Sequence, residues 1–202
     1  MENTYVLYDD THECIIIDPG CLEKQEQQTL LNFIETNKLK VKILLNTHCH
    51  IDHVLGNKFV KEQFQVKLQT SKIEEQVLKA VSAYAPNYGF HQYEETNIDE
   101  YIAEGQQIKF GNATLDILFV PGHSPGHLVF YNAEENICIG GDVLFHRSIG
   151  RTDLPGGDHE TLINNIHQKM FKLDDNMVVY PGHGETTTIG EEKKYNPFCA
   201  IG

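Results

Sequence analysis

Apolar residues along the chain fall into short runs separated by Gly, Pro and polar turn residues, interrupted by a few stretches at helical spacing. Thr4 to Tyr8 and Glu13 to Ile17 read as paired strands joined by Asp9-Asp10-Thr11-His12. Between Lys24 and Lys38, Leu30, Leu31, Phe33 and Ile34 recur at the spacing of an amphipathic helix. Val41-Lys42-Ile43-Leu44-Leu45 is a β-branched and leucine run that predicts a buried strand, and an amphipathic stretch from Gly56 through Phe64 follows it. The second half repeats this plan, with strands expected around 106–119, 128–131 and 137–140, then a helical stripe of Leu162, Ile163, Ile166 and Met170. These stripes are read as core. Each half therefore runs strands into a helix, which predicts an α/β (α+β) fold.

Composition narrows the class. With 202 residues at 40% hydrophobic content, the chain can bury a sizeable core without covalent staples, and residues 1–202 are expected to form a single domain. No stretch approaches the roughly 18 to 20 apolar residues that span a bilayer, and the N-terminus lacks a basic region followed by an apolar one. A cytoplasmic location, away from membranes, is expected. Five cysteines (14, 21, 49, 138, 199) at irregular spacing make no disulfide framework, which fits a reducing compartment. The triplet Asn112-Ala113-Thr114 would be idle as a glycosylation acceptor there. A formal charge of −13 with no basic run argues against nucleic acid and for a small-molecule substrate.

The candidate chemistry starts at Thr47-His48-Cys49-His50-Ile51-Asp52-His53, where four metal-capable side chains stand within six positions. Imidazole nitrogen and carboxylate oxygen suit zinc, iron or manganese, and four such groups can serve two ions. The segment follows the Val41–Leu45 run, and strand-end loops are where sites usually sit. Three other predicted strands end the same way. Ala113 to Val120 breaks into Pro121-Gly122-His123-Ser124-Pro125-Gly126-His127, Ile137-Cys138-Ile139 runs into Gly140-Gly141-Asp142, and Met177 to Tyr180 stops at Pro181-Gly182-His183-Gly184. His123, Asp142 and His183 are the distant ligand candidates. Cys49 should point away from its neighbouring ligands in a locally extended segment and is assigned to packing. His12, His127, His146, His159 and His167 are read as structural or solvent-facing.

This ordered set, T-H-x-H-x-D-H, P-G-H-S-P-G-H, G-G-D and P-G-H-G, resembles the metallo-β-lactamase superfamily over nearly the whole chain. The resemblance implies an αββα sandwich of two mixed sheets packed face to face with helices outside. It implies one metal held by His48, His50 and His123 and a second held by Asp52, His53 and His183, with Asp142 bridging them. Two divalent ions, zinc first and iron or manganese next, are the expected cofactors. Asp18, in Ile17-Asp18-Pro19-Gly20, resembles the family's first-strand acid, which implies a supporting role behind the ligands.

A hydroxide shared by two metals is a nucleophile near neutral pH, and Asp52 would orient it while ligating. No obvious general acid is present, and a thiolate leaving group needs none. The stretch Leu144 to Asp158 and the P-G-H-S-P-G-H turn resemble the glyoxalase II-like, or hydroxyacylglutathione hydrolase-like, branch. This implies hydrolysis of S-D-lactoylglutathione or a related thioester. Arg151 falls where the larger enzymes hold a glutathione carboxylate, and Tyr88 and His91, in the aromatic stretch Tyr84 to Tyr93, are further candidate substrate contacts. Two departures count against glutathione: Asp153 stands where those enzymes have a tyrosine, and only nineteen residues follow His183, so the extra C-terminal helical domain is expected to be missing, as in compact bacterial members.

The strongest rival is a persulfide dioxygenase with one iron on His48, His123 and Asp142. Histidine rather than cysteine at the end of the P-G-H-S-P-G-H turn favours hydrolysis. Lactone hydrolysis within the same fold stays open, and a flavodiiron-type electron-transfer role lacks a flavin domain in this chain. Lactam hydrolysis is less attractive without an export signal. A monomer or small homo-oligomer is expected.

Overall fold

The computed structural model describes residues 2–201. The chain divides into two compact units, one made of 2–102 with 109–114 and the other of 103–108 with 115 onward.

In the first unit β1 (Tyr5–Tyr8) and β2 (Glu13–Ile17) form the expected antiparallel pair, with Tyr5 opposite Ile17 and Tyr8 opposite Cys14. The helix α1 (Lys24–Thr36) opens with a capping box, in which the Glu26 carboxylate accepts the Glu23 backbone N–H. It buries Leu30 and Ile34 and leaves Phe33 largely exposed, edge-on to Tyr8. Next come β3 (Lys40–Leu45), the one-turn helix α2 (Ile51–Val54), α3 (Asn57–Phe64) and β4 (Leu68–Thr70). The structure also has α4 (Glu74–Tyr84) and a short edge strand β5 (Glu100–Tyr101); neither of these, nor α2 or β4, was among the expected elements. The sheet order is β1-β2-β3-β4-β5, and all pairings after the first are parallel. Strands of a mostly parallel sheet read as continuous apolar runs, as Cys14-Ile15-Ile16-Ile17 does, and each of these four is fully buried.

The parallel register carries the functional consequence: Ile17 lies opposite Leu45, and the Asp18 N–H donates to the Leu45 carbonyl at 3.0 Å. The ends of β2 and β3 thus lie side by side, one delivering Asp18 and the other the 46–53 segment.

The second unit holds most of a six-stranded sheet of order β13-β12-β9-β8-β7-β6, with β6 Gln107–Phe110, β7 Ala113–Phe119, β8 Leu128–Asn132, β9 Ile137–Gly141, β12 Val178–Pro181 and β13 Thr187–Thr188. A small hairpin of β10 (Leu144–Phe145) and β11 (Ser148–Ile149) follows β9. The helix α5 (His159–Gln168) is capped by Asp158, whose carboxylate accepts the Thr161 N–H at 2.7 Å. Leu162, Ile166 and Met170 of the predicted stripe are fully buried with Val129, Cys138 and Val179. Fully burying a side chain of this size contributes roughly 1.5–3 kcal/mol. The C-terminal helix α6 (Ile189–Tyr195) is capped by Thr188 and held from below by Glu192, a buried carboxylate that accepts the Arg147 N–H at 3.0 Å and the Asn196 side-chain amide at 2.7 Å.

Here too two parallel strands end together. Pro181 lies opposite Gly141 after a register shift at Tyr180/Pro181, and the Gly182 N–H donates to the Gly141 carbonyl at 2.8 Å. Asp142 and His183 leave the sheet as neighbours.

Candidate functional site

In the first unit, the loop after β3 turns into α2 through His50, which precedes the helix in an extended conformation. This brings three imidazoles together: the ring centroids of His48 and His50 are 4.7 Å apart, and those of His48 and His53 are 4.1 Å apart. His48 and His53 are fully buried. Protonated rings at such separations would repel one another in a poorly hydrated interior, so the cluster suits neutral imidazoles offering lone pairs.

Asp18 organises this cluster. Its backbone adopts φ 50°, a left-handed conformation that aspartate tolerates better than most residues. One carboxylate oxygen accepts the Thr47 N–H at 2.7 Å; the other accepts the Thr47 hydroxyl at 2.6 Å and His53 Nδ1–H at 3.1 Å. Having donated its proton to Asp18, the Thr47 hydroxyl accepts from His48 Nδ1 at 3.1 Å. A single buried carboxylate therefore fixes the tautomer of two imidazoles, one directly and one through a hydroxyl, and leaves Nε2 of each as the coordinating atom. Hydrogen bonding of the far ring nitrogen is how metal-ligating histidines are usually held. The side-chain amide of Asn46 ties the same network to the His53 carbonyl at 3.1 Å and to Asn57. Glu74, at the start of α4 and fully buried, accepts the Cys49 N–H at 2.7 Å, between the two histidines of His-Cys-His. The Cys49 side chain lies in the core, and burial first, with the Glu74 and Asp18 carboxylates adding to it, pushes its thiol well above its usual range. The packing role expected for Cys49 agrees with that placement. Asp52 is half-exposed, with a carboxylate oxygen 4.0 Å from His53 Nε2.

In the second unit the Pro121–His127 turn follows β7. At φ 135° Gly122 lies against the backbone of α5, where an added Cβ would stand 2.4 Å from Leu162 Cα. No side chain fits there. His123 is 2% exposed, and its Nδ1–H donates to the Arg151 carbonyl at 2.7 Å, which again leaves Nε2 for coordination. Asp142 Oδ2 lies 3.5 Å from His123 Nε2 and 3.5 Å from His183 Nε2. Two atoms bound at about 2.1 Å to one tetrahedral ion stand about 3.4 Å apart, so this carboxylate is spaced to share an ion with each histidine. The donor set of both units fits divalent transition metals.

Arg151 has two separate roles in the structure. Its carbonyl holds His123, while its exposed guanidinium makes a bidentate pair with Asp153, with both contacts at 2.7 Å. The pair holds the Asp153 carboxyl down at about 2. Tyr88 ends a short 3-10 turn after α4, where it is 64% exposed and edge-on to Tyr84; His91 is exposed nearby in sequence. Asn46, Asn57, Glu74, the bridging role of the Thr47 hydroxyl and the acceptor role of His127 are features of the site that the sequence did not single out. Their signal is through-space hydrogen bonding, which has no local pattern.

Residues 1–183 match the metallo-β-lactamase superfamily. The chain belongs to that superfamily. Its fold and its metallo-hydrolase class agree with the resemblance seen in the motifs. A hydroxyacylglutathione hydrolase, GloC, from Haemophilus influenzae is 38% identical, aligned over 98% of this chain and 92% of its own length. The crystal structure of the BLEG-1 B3 metallo-β-lactamase superimposes with a TM-score of 0.90 at 34% identity, covering 100% of this chain and 95% of that one. TTHA1623, solved in a di-iron-bound form, gives a TM-score of 0.86 at 32% identity over 98% and 95% of the two chains. Metallo-β-lactamase folds surround this chain among solved structures. Among the described residues no helix is long and apolar enough to cross a membrane.

Proposed function

We propose that this metallo-hydrolase cleaves a thioester of the hydroxyacylglutathione type, S-D-lactoylglutathione or a close relative, to an acid and a free thiol. The likeness to GloC over 98% of the chain carries the choice of substrate class. In this reading residues 1–202 form one catalytic domain. His48, His50 and His123 would hold one ion, Asp52, His53 and His183 the other, and Asp142 would bridge them. Zinc is the first candidate; the di-iron form of TTHA1623 makes iron the second.

When bound, a pair of divalent ions supplies a water acidic enough to be a nucleophile at neutral pH and a Lewis acid for the acyl oxygen. The residues do the rest. Asp18 fixes the Nδ1 proton of His53 directly and of His48 through Thr47, and so aims their Nε2 atoms, and the Arg151 carbonyl does the same for His123. Asp52, half-exposed, would accept a hydrogen bond or proton from the attacking water and so orient it at the carbonyl. The departing thiolate, with a reference pKa near 8.5, leaves without a general acid. The Arg151 guanidinium would exchange its Asp153 partner for a substrate carboxylate, which makes selection of glutathione weaker than it would be with an unengaged arginine. Tyr88 is a second candidate contact. The enzyme would act in the cytoplasm on a small molecule, without nucleic acid or membrane, as a monomer or small homo-oligomer.

The test is turnover by the metal-reconstituted protein. Loss of thioester absorbance with stoichiometric release of free thiol, together with about two metals per chain, is the expected result. Oxygen uptake with glutathione persulfide, one iron per chain and no thioester turnover would instead establish the dioxygenase reading. Turnover of a lactone in place of any thioester would move the assignment to lactone hydrolysis.

A further inference from the structure

His127 shares the Pro121–His127 turn with His123 but takes no part in the proposed ligand set. It is fully buried at the foot of β8, its N–H donating to the Ser124 carbonyl and its own carbonyl accepting from Val120. Its ring stands 6.0 Å from the His123 ring at 73°, so the two imidazoles of one turn face different ways. His127 Nε2 lies 3.1 Å from the backbone nitrogen of Asp142. An amide N–H only donates, so Nε2 contributes its lone pair and the ring proton sits on Nδ1.

We infer that His127 is a positioning residue: its Nε2, by accepting the Asp142 backbone N–H, fixes where the Asp142 carboxylate stands. Asp142 comes immediately after Gly141, which sits at φ 49° where the chain leaves β9. Beyond that bend the N–H no longer belongs to the strand ladder, and His127 is its acceptor. Displacing this backbone by a few tenths of an ångström would change both 3.5 Å separations from Asp142 Oδ2 at once, since one oxygen serves His123 and His183. The turn thus holds two ends of the site, His123 through its own side chain and Asp142 through the imidazole of His127. The inference rests on the reading of Asp142 as a metal ligand.

Two polar variants separate this role from simple packing. In His127→Gln the terminal amide reaches about as far as Nε2 and offers an oxygen; in His127→Asn the shorter amide stops near the Nδ1 position and cannot reach the Asp142 N–H. Zinc affinity is measured for the refolded metal-free proteins by competition with a chromophoric chelator, beside wild type and Asp142→Asn. Amide hydrogen exchange at Asp142 is followed in the metal-free state. Removal of an outer hydrogen bond of this kind typically weakens metal binding 10- to 100-fold. His127→Asn is expected to lose zinc affinity in that range and to exchange the Asp142 amide faster, while His127→Gln stays near wild type in both. Equal loss of thermal stability in the two variants with wild-type zinc affinity and unchanged exchange would overturn the role of His127. Wild-type protein that binds no zinc, or Asp142→Asn that binds it as wild type does, would instead overturn the ligand assignment beneath it.

Discussion

Replacing Asp18 by Asn isolates the charge of the carboxylate that aims two of the proposed ligands. Volume is kept, and Asn tolerates the left-handed φ of 50°, so the backbone is not the variable. Both oxygens of Asp18 accept: one takes the Thr47 N–H, the other the Thr47 hydroxyl and His53 Nδ1–H. A carboxamide turned either way sets its NH2 against at least one buried donor. A hydrogen bond to a charged group contributes about 1.5–3 kcal/mol, and an unsatisfied buried donor costs about 1–3 kcal/mol. The expected loss, allowing for relaxation, is about 3 kcal/mol. With a urea slope of about 2–3 kcal/mol per molar, the unfolding midpoint of the metal-free protein should fall by about 1 M. The chain has no tryptophan, so far-UV circular dichroism is the suitable probe. Zinc affinity should fall about 10- to 100-fold, because the proton positions of both His48 and His53 are set through this one group. An unchanged midpoint together with wild-type zinc affinity would refute the account of Asp18 as the organiser of the cluster.

Four further outcomes are expected. An added Cβ at Gly150 would stand 1.9 Å from the Asp142 carbonyl oxygen and 3.0 Å from His123 Nδ1, so Gly150→Ala should abolish tight metal binding and lower stability by several kcal/mol, read by chelator competition and urea unfolding. Burial pushes the Glu2 carboxyl up to about 9, against a smaller opposing effect of His53. The folded protein then holds a proton that the unfolded chain releases above about 4.5, so stability falls as pH rises from there towards 9; Glu2→Gln should raise stability of the metal-free protein at pH 7 by up to about 3 kcal/mol and flatten its pH dependence. Glu74→Ala leaves the buried Cys49 N–H without its acceptor and should cost about 2 kcal/mol, whereas Glu74→Gln, which keeps an oxygen there, should cost less; the comparison is made by thermal unfolding. Stripping metal with a chelator should lower the Tm of wild type, and the drop should vanish in Asp142→Asn.

How much of this was legible beforehand follows from what local patterns encode. The strand ends carrying His48 to His53, His123, Asp142 and His183 are marked by apolar runs that stop at Gly or Pro, and each such run is a strand in the structure. Side chains offering nitrogen and oxygen at four such ends sufficed to nominate the ligands and the superfamily. Hydrogen bonds between Asp18 and Thr47, or between Glu74 and Cys49, join residues 29 and 25 positions apart, and no periodicity records them.

The sequence by itself therefore determined the strands that carry the candidate ligands, the identity of those ligands and the class of metal they suit, because side-chain chemistry and hydrophobic period are local properties. Only the tertiary structure decided which nitrogen of His48, His53 and His123 is left for coordination, that Asp142 Oδ2 is shared between His123 and His183, that His127 holds a backbone amide, and that the guanidinium of Arg151 is already engaged by Asp153. Those facts depend on the register of parallel strands and on buried polar groups finding partners across the fold, and both are set when distant segments meet.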